Sequence, residues 1–417
     1  MNPAKSPSTR RMALLLGGLA MFGPFSIDAF FPAFPQMAAS LRTDAVALQQ
    51  TVSVYLLAYA LMSVVHGPLS DAKGRRKVIL AGLVVFVAAS AGCALSPDLP
   101  TLLAFRALQG LSAGAGMIVG RAAIRDLYDG DDAQRLMSQV SMIFGVAPAI
   151  APVVGGWLLG VGEWSWIFWF LTAFSAVLLL SVAVWMPETH PPQVRRPLTP
   201  RKLLRDYVGI LRNRRFLRLA LAGSLAFSGL FLYIASAPVF VIELLGLGER
   251  DFAWLFLPNI VGMTLGAFVS GRAAGHIRGE MQCRIGYACC GVAALANLAY
   301  SALATKLVVP WAVLPLFVTG FGMALIFPIL SLAVLDMYAR HRGAASSLQV
   351  FLQLVISSVV AGVLSPLLSH HPVWLALGFM VFLLLGWGCW RWEMRVARRE
   401  LPDCPREAAA YEPTEPM

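Results

Sequence analysis

Apolar runs of about 18 residues or more recur along this chain, each long enough to cross a hydrocarbon core about 30 Å thick. No water is present there to satisfy backbone amides and carbonyls, so the runs are expected to be helices. Composition agrees: 58% of the 417 residues are hydrophobic and only 13% are charged, too little polar surface for a water-soluble fold of this size. The pattern predicts spans at Met12–Phe31, Leu48–Val65, Val78–Ala94, Thr101–Val119, Leu136–Val161 and Trp166–Trp185. A second set follows at Phe216–Val241, Phe252–Ser270, Cys283–Ala304, Val308–Val334, Ala344–Leu368 and Trp374–Trp392.

A proline- and arginine-rich polar stretch separates the two sets. The chain therefore reads as a six-helix half over 1–186, a linker over 187–215, a second half over 216–394 and a polar tail over 395–417. Within the linker, Leu203, Leu204, Tyr207, Val208 and Leu211 lie among Arg201, Arg205, Arg212, Arg214 and Arg215. That pattern suits an amphipathic helix on the inner leaflet. Lys5, Arg10 and Arg11 ahead of the first run suggest a signal peptide, but about 20 apolar residues followed by many more spans argue against one.

The loops fix an orientation. Of 33 Lys and Arg, only Arg42, Arg250 and Lys306 fall in loops on one side, and Arg106 lies inside a span. All the others gather on the opposite side, which the positive-inside rule assigns to the cytoplasm, with both termini. The net charge of +11 then reflects contact with anionic lipid headgroups rather than nucleic acid. The six cysteines have no metal-ligand spacing, and most lie in apolar segments, where a thiol behaves as a small hydrophobe. There is no metal motif, nucleotide-binding loop or hydrolytic triad, so an enzyme reading has no support and no cofactor is expected.

Five runs stand out. Gly67-Pro-Leu-Ser-Asp71-Ala-Lys-Gly74-Arg75-Arg76-Lys77 follows the second span. Arg106-Ala-Leu-Gln109-Gly110 lies in the fourth, and Gly120-Arg121-Ala-Ala-Ile-Arg125-Asp126 closes it. Gly145-Val-Ala-Pro148-Ala-Ile-Ala-Pro152-Val-Val-Gly155-Gly156 occupies the fifth, and Ser26-Ile-Asp28-Ala-Phe-Phe-Pro32-Ala-Phe-Pro35 ends the first. Jointly they resemble the signatures of the major facilitator superfamily. The nearest pattern is the twelve-helix drug:proton antiporter type of the bicyclomycin/chloramphenicol-resistance branch. Ala72 departs from the usual basic residue of the loop signature, and Ala151 replaces a glycine before the second proline, as in that branch.

The resemblance implies an all-α membrane fold of two pseudo-symmetric six-helix bundles around a central cavity, working by alternating access. It also implies a monomeric antiporter of a bacterial inner membrane that exports small amphiphilic compounds, with the proton gradient as its energy source. Gly67, Asp71, Gly74, Arg75, Arg76 and Asp126 would form a cytoplasmic gate. Asp71 would face a helix N-terminus of the other half, and Arg75 would join Asp126. Gly145, Pro148, Pro152, Gly155 and Gly156 would make the fifth helix kinked and closely packed, as in exporters. A proton-coupled uptake permease or a metabolite exporter of the same fold, and a non-transporting membrane sensor or scaffold, are the alternatives.

Physical chemistry singles out the coupling site. Asp28 is the one acidic residue placed well inside a predicted span, where a carboxylate persists only if it pairs, is hydrated by a cavity or binds a proton. Arg106 is the intramembrane cation, and an alternating Asp28–Arg106 partnership would link protonation to two helices. Gln109, Tyr55 and Tyr59, with Phe231 and Tyr233 on the seventh helix, are expected to line the same space. Phe227, Gln349 and Gln353 are softer candidates. His66, His276 and His341 are expected at the cytoplasmic boundary, in water.

Overall fold

In a computed structural model the chain is described over residues 9–128, 130–195, 197–273, 275–338 and 342–400. Among these described residues, twelve helices are long and apolar enough to cross a membrane. They are α1 (Arg11–Ser40), α2 (Ala45–Lys73), α3 (Arg75–Ala94), α4 (Leu99–Leu127), α5 (Arg135–Leu159) and α6 (Ser165–Trp185). The second set is α7 (Arg214–Ala235), α8 (Ala253–Ala273), α9 (Gly279–Leu303), α10 (Leu314–Asp336), α11 (Arg342–Leu368) and α12 (Pro372–Arg398). No strand occurs among the described residues.

Local chemistry explains where helices begin. Asp44 and Asp98 cap α2 and α4, accepting hydrogen bonds from the amides of Ala47 (2.7 Å) and Thr101 (2.9 Å). The hydrogen bonds from Thr101 hold the Asp98 carboxyl below the usual carboxylate range, as expected for a capping anion. Asn213 caps α7 through the amides of Arg215 (2.9 Å) and Phe216 (3.3 Å).

Packing repeats with a shift of six helices. Within the first half, α2 packs on α4, α3 on α4 and α6, and α1 on α5 and α6. Within the second, α8 packs on α10, α9 on α10 and α12, and α7 on α11 and α12. The cross-half pairs, α2 with α11 and α5 with α8, are themselves related by the same shift. This is the signature of two pseudo-symmetric bundles.

Several helices run past the boundaries read from sequence. The first continues to Ser40 after a break at Ala29–Phe30 and a short 3-10 turn, Phe31–Ala33. The stretch read as a loop after α2 is helical through Lys73, so the turn is Gly74 alone, with φ +98°. Gly275, between α8 and α9, lies in a turn with φ +79°. The tenth helix starts at Leu314 rather than Val308, after a turn. Most of the tail (401–417), His341 and Asp129 lie outside the described residues.

The linker holds a helix at Pro200–Arg212. It buries Tyr207 and Ile210 against the bundle and leaves Leu204 and Val208 exposed. Such an apolar strip beside arginines suits a bilayer surface. The Tyr207 hydroxyl donates to the Val64 carbonyl of α2 at 2.7 Å. Burial, and next the charge of Asp71, push its phenol up to about 12, so it stays a donor.

Candidate transport site

The interior of the first half is organised around Arg106, which is fully buried. Its guanidinium donates to the carbonyls of Thr51 (3.2 Å) and Ser26 (2.8 Å) and to Gln109 Oε1 (2.7 Å). The cation also lies over the rings of Phe30 (4.6 Å) and Tyr55 (4.5 Å). Carbonyl dipoles and ring faces together make a buried cation tolerable. Gln109 passes the network on to Ser90 at 2.8 Å, and Ser26 hydrogen-bonds with Tyr55 at 2.7 Å. Thus α1, α2, α3 and α4 are tied to one side chain. Ser26 and Ser90 carried no signal in the sequence, because single serines in apolar helices are common.

Close approach of α2 to α4 depends on glycine. A Cβ on Gly110 would strike the Tyr55 carbonyl, and one on Gly114 would come within 2.8 Å of His66 Nδ1 and 2.9 Å of the Tyr59 ring. His66 is therefore buried between two helices, contrary to the expected place in water. Directly after Gly114, α4 carries a π-helical turn, Ala115–Val119, a feature common at functional sites.

Asp28 is 5% exposed and sits where α1 breaks. It makes no hydrogen bond or ion pair with any described residue. The expected pairing with Arg106 is absent here: that guanidinium bonds the Ser26 carbonyl, two residues earlier on the same helix, and its Nη2 has no partner. The two charges are connected through Tyr55, which lies within electrostatic reach of both. Across the break, α5 presses close: a Cβ on Gly155 would strike the Ala29 carbonyl. The adjacent Gly156 faces the other half, where a Cβ would lie 2.8 Å from the Glu249 carbonyl. Consecutive glycines of α5 therefore touch the Asp28 break on one side and the second bundle on the other. Pro148 and Pro152 lie inside α5.

A second cluster occupies the end of the bundle that carries the basic loops. Arg75 Nε donates to Asp126 Oδ2 at 3.0 Å, and the same guanidinium pairs with Asp71 and lies 2.5 Å from Ser70 Oγ. Arg76 bonds the Ala183 carbonyl. The structure adds residues that the motifs did not reveal. Glu188 accepts from the Arg75 amide (2.9 Å), and Thr189 donates to Asp126 (3.0 Å). The Glu188 carboxylate also crowds any side chain at Gly74. The expected approach of Asp71 to a helix N-terminus of the second half is not seen among the described residues. The Asp71 side chain is 47% exposed.

That observation belongs to a larger asymmetry. Among the described residues, the hydrogen bonds joining α2 to α11 all lie towards the end opposite the basic loops. They run from Gln50 to the Gly362 carbonyl (2.7 Å) and between Ser53 and Ser358 (2.9 Å). Near the basic end, Gly67, Gly145 and Gly343 have open space beside them, and no described ion pair joins the halves. Among the described residues, the polar contacts between α2 and α11 thus gather at the end opposite the basic loops.

The second half has a different interior. Phe227 stacks on Phe231 (6.0 Å) and meets Phe327 edge-on (6.3 Å). Tyr233 is turned away from the interior, into its own bundle. There Asn297 donates to its hydroxyl at 2.6 Å, and it packs on Phe240 and Phe379. Gln349 bonds Ser331 at 3.2 Å. A further carboxylate, Glu393, is buried near the end of α12 and held by Arg215 and Arg218, each at 2.8 Å. Sequence reading missed it because α12 runs past Trp392. Unlike Asp28, it is fully paired.

These features meet in one known architecture. Residues 14–361 match the Major Facilitator Superfamily, and the chain belongs to that family. It is 30% identical over 382 residues to Multidrug resistance protein D of Escherichia coli (strain K12), covering 91% of this chain and 94% of that protein. An uncharacterized MFS-type transporter of Bacillus subtilis (strain 168), YdgK, is 31% identical over 84% of this chain and 87% of its own length. A bicyclomycin resistance protein homolog of Haemophilus influenzae is 28% identical over 69% of this chain and 72% of its own. Among solved structures, the human organic anion transporter MFSD10 (TETRAN) shares the fold. Its TM-score is 0.64 with 18% identity, over 91% of this chain and 100% of that one. The family and antiporter type read from the sequence motifs are borne out.

Proposed function

We propose that this protein exports small amphiphilic, drug-like compounds from the bacterial cytoplasm in exchange for protons. The observation that carries the reading is the unpaired, buried Asp28 at a helix break packed against Gly155 of α5. A carboxylate in low dielectric that lacks a partner is a natural proton acceptor, and its helix is in contact with the helix that closes the opposite end. Relatives named for multidrug and bicyclomycin resistance support the direction of transport.

In this reading the basic end faces the cytoplasm, with both termini, and the structure is the inward-open state of a monomer. The boundaries 1–186, 187–215 and 216–394 divide it into two moving halves and a tether, followed by the tail from 395. Substrate enters between the halves from the cytoplasm. Closure brings the first turn of α11 over Gly67 and Asp71, while Arg75, Asp126 and Glu188 hold the end of α2 and start of α3 rigid. The contacts of Gly156 with the loop before α8, and of Ser53 with Ser358, then part. A proton reaching Asp28 from outside neutralises it as substrate leaves, and the substrate undergoes no covalent change.

The test is a growth-inhibition panel in an efflux-deficient host. The protein should raise tolerance to several amphiphilic compounds, and a proton uncoupler should abolish the effect. Unchanged tolerance across the panel despite membrane expression would overturn the export reading.

A further inference from the structure

Arg121 follows the π-helical turn of α4 and is an exposed side chain. It is nevertheless largely enclosed by protein, with Tyr59 and Arg125 within electrostatic reach. A cation that is both enclosed and wetted lies in a water-filled recess rather than on an outer surface. It has no hydrogen bond or ion pair with any described residue. The acids of the basic-end cluster are already engaged: Asp126 by Arg75 and Thr189, Asp71 by Arg75. Arg125, one turn on, adds like charge.

The neighbourhood is apolar and adaptable. Tyr59 is half-buried, lies beside Gly114, and its hydroxyl is 4.0 Å from Met117 Sδ. Met117 stands one turn before Arg121. A thioether and an aromatic ring accept varied apolar shapes, and a guanidinium fork matches a carboxylate or sulfonate. By contrast, Arg106 is fully buried, with Nε and Nη1 bonded to Thr51, Ser26 and Gln109, so a ligand in open space does not reach it. Arg121, exposed and without a partner among the described residues, is free to meet a ligand.

We propose that Arg121, with Tyr59 and Met117, forms an anion-recognition subsite in the transport cavity, selecting amphiphiles that carry an acidic group. The proposal rests on the export reading and names the substrate class for the same cavity. Charge sets the preference, and the apolar wall tolerates the remainder of the molecule.

The experiment uses fluorescein and rhodamine 123, which share a xanthene ring and differ in charge sign. Binding is read by fluorescence anisotropy with the full chain in phosphatidylcholine nanodiscs, where no anionic lipid competes. Wild type should bind fluorescein at least tenfold more tightly than rhodamine 123 at pH 7.5. Arg121→Gln should lose at least tenfold in fluorescein affinity and leave rhodamine 123 within twofold, and Arg121→Lys should recover most of the loss. Equal affinity for both dyes in wild type, or unchanged fluorescein binding in Arg121→Gln, would overturn the subsite. So would a defect of Arg121→Gln that appears only when the nanodiscs are made with phosphatidylglycerol, which would make Arg121 a lipid headgroup contact. An equal loss for both dyes, with lowered thermal stability, would mark it as structural. Failure of the export reading looks different: no compound in the panel would be exported, whatever the residue at position 121.

Discussion

The two halves repeat the same packing but not the same interior chemistry. In the first, Arg106 ties α1, α2, α3 and α4 together through carbonyls, Gln109 and Ser90, and Asp28 stands unpaired beside it. In the second, the corresponding space holds the Phe227–Phe231–Phe327 stack, and the buried carboxylate Glu393 is neutralised near the basic end. A pseudo-symmetric fold can thus divide its labour. In the proposed cycle the polar half would carry charge movement, where each unsatisfied group is costly. The aromatic half offers a surface that binds many shapes without demanding particular hydrogen bonds.

The comparison can be broken most severely at Arg106. Arg106→Ala leaves the Ser26 and Thr51 carbonyls and Gln109 without their donor, each costing about 1–3 kcal/mol. Transport should fall at least a hundredfold with a clear drop in thermal stability, and Arg106→Lys should recover only part, since a point charge cannot reproduce the planar fork. Vesicle efflux and a melting curve on the same preparations check both. A smaller effect is expected where α5 packs on the break of α1. Gly155→Val would drive a side chain into the Ala29 carbonyl and should cut export at least tenfold while protein still reaches the membrane.

In the aromatic half the expected effects are milder. Phe227→Ala removes one ring of the stack, and apparent affinity for uncharged substrates should weaken by about five- to thirtyfold, the equivalent of about 1–2 kcal/mol of lost apolar contact. Proton-driven turnover at saturating substrate should persist. Smallest of all, Tyr233→Phe deletes the hydrogen bond from Asn297, worth about 1 kcal/mol of stability, and should leave export within twofold. A large transport defect in Tyr233→Phe would mean that this tyrosine turns into the cavity at another stage of the cycle.

Hydrophobic periodicity made the architecture legible, because a bilayer leaves a chain little choice. The motifs located Asp28, Arg106, the Asp71–Arg75–Asp126 cluster and the α5 glycines. Helix ends were harder to read: polar residues such as Asp71 and Glu393 continue a helix once neighbouring arginines pair with them, and hydropathy alone places the end too early. The partners Ser26, Ser90, Glu188 and Thr189 were invisible for a related reason. They matter only because folding brings them to a motif residue far away in sequence. Orientation was also beyond pattern: Tyr233 lies two positions from Phe231, and only packing turns it into its own bundle. The state of the cycle was not written in the sequence at all, since Gly67 is equally compatible with an open and a closed gate.

The central claim is that the unpaired carboxylate of Asp28 carries the proton. Asp28→Asn keeps the shape and hydrogen-bonding reach of the side chain and removes its titration. The direct measurement is substrate accumulation by proteoliposomes supplied with a proton gradient alone, alongside equilibrium binding of a neutral substrate. The account predicts binding within a few-fold of wild type and no uphill accumulation. If Asp28→Asn still concentrates substrate against its gradient, the proton is carried elsewhere, with Asp71 and Asp126 the next groups to examine.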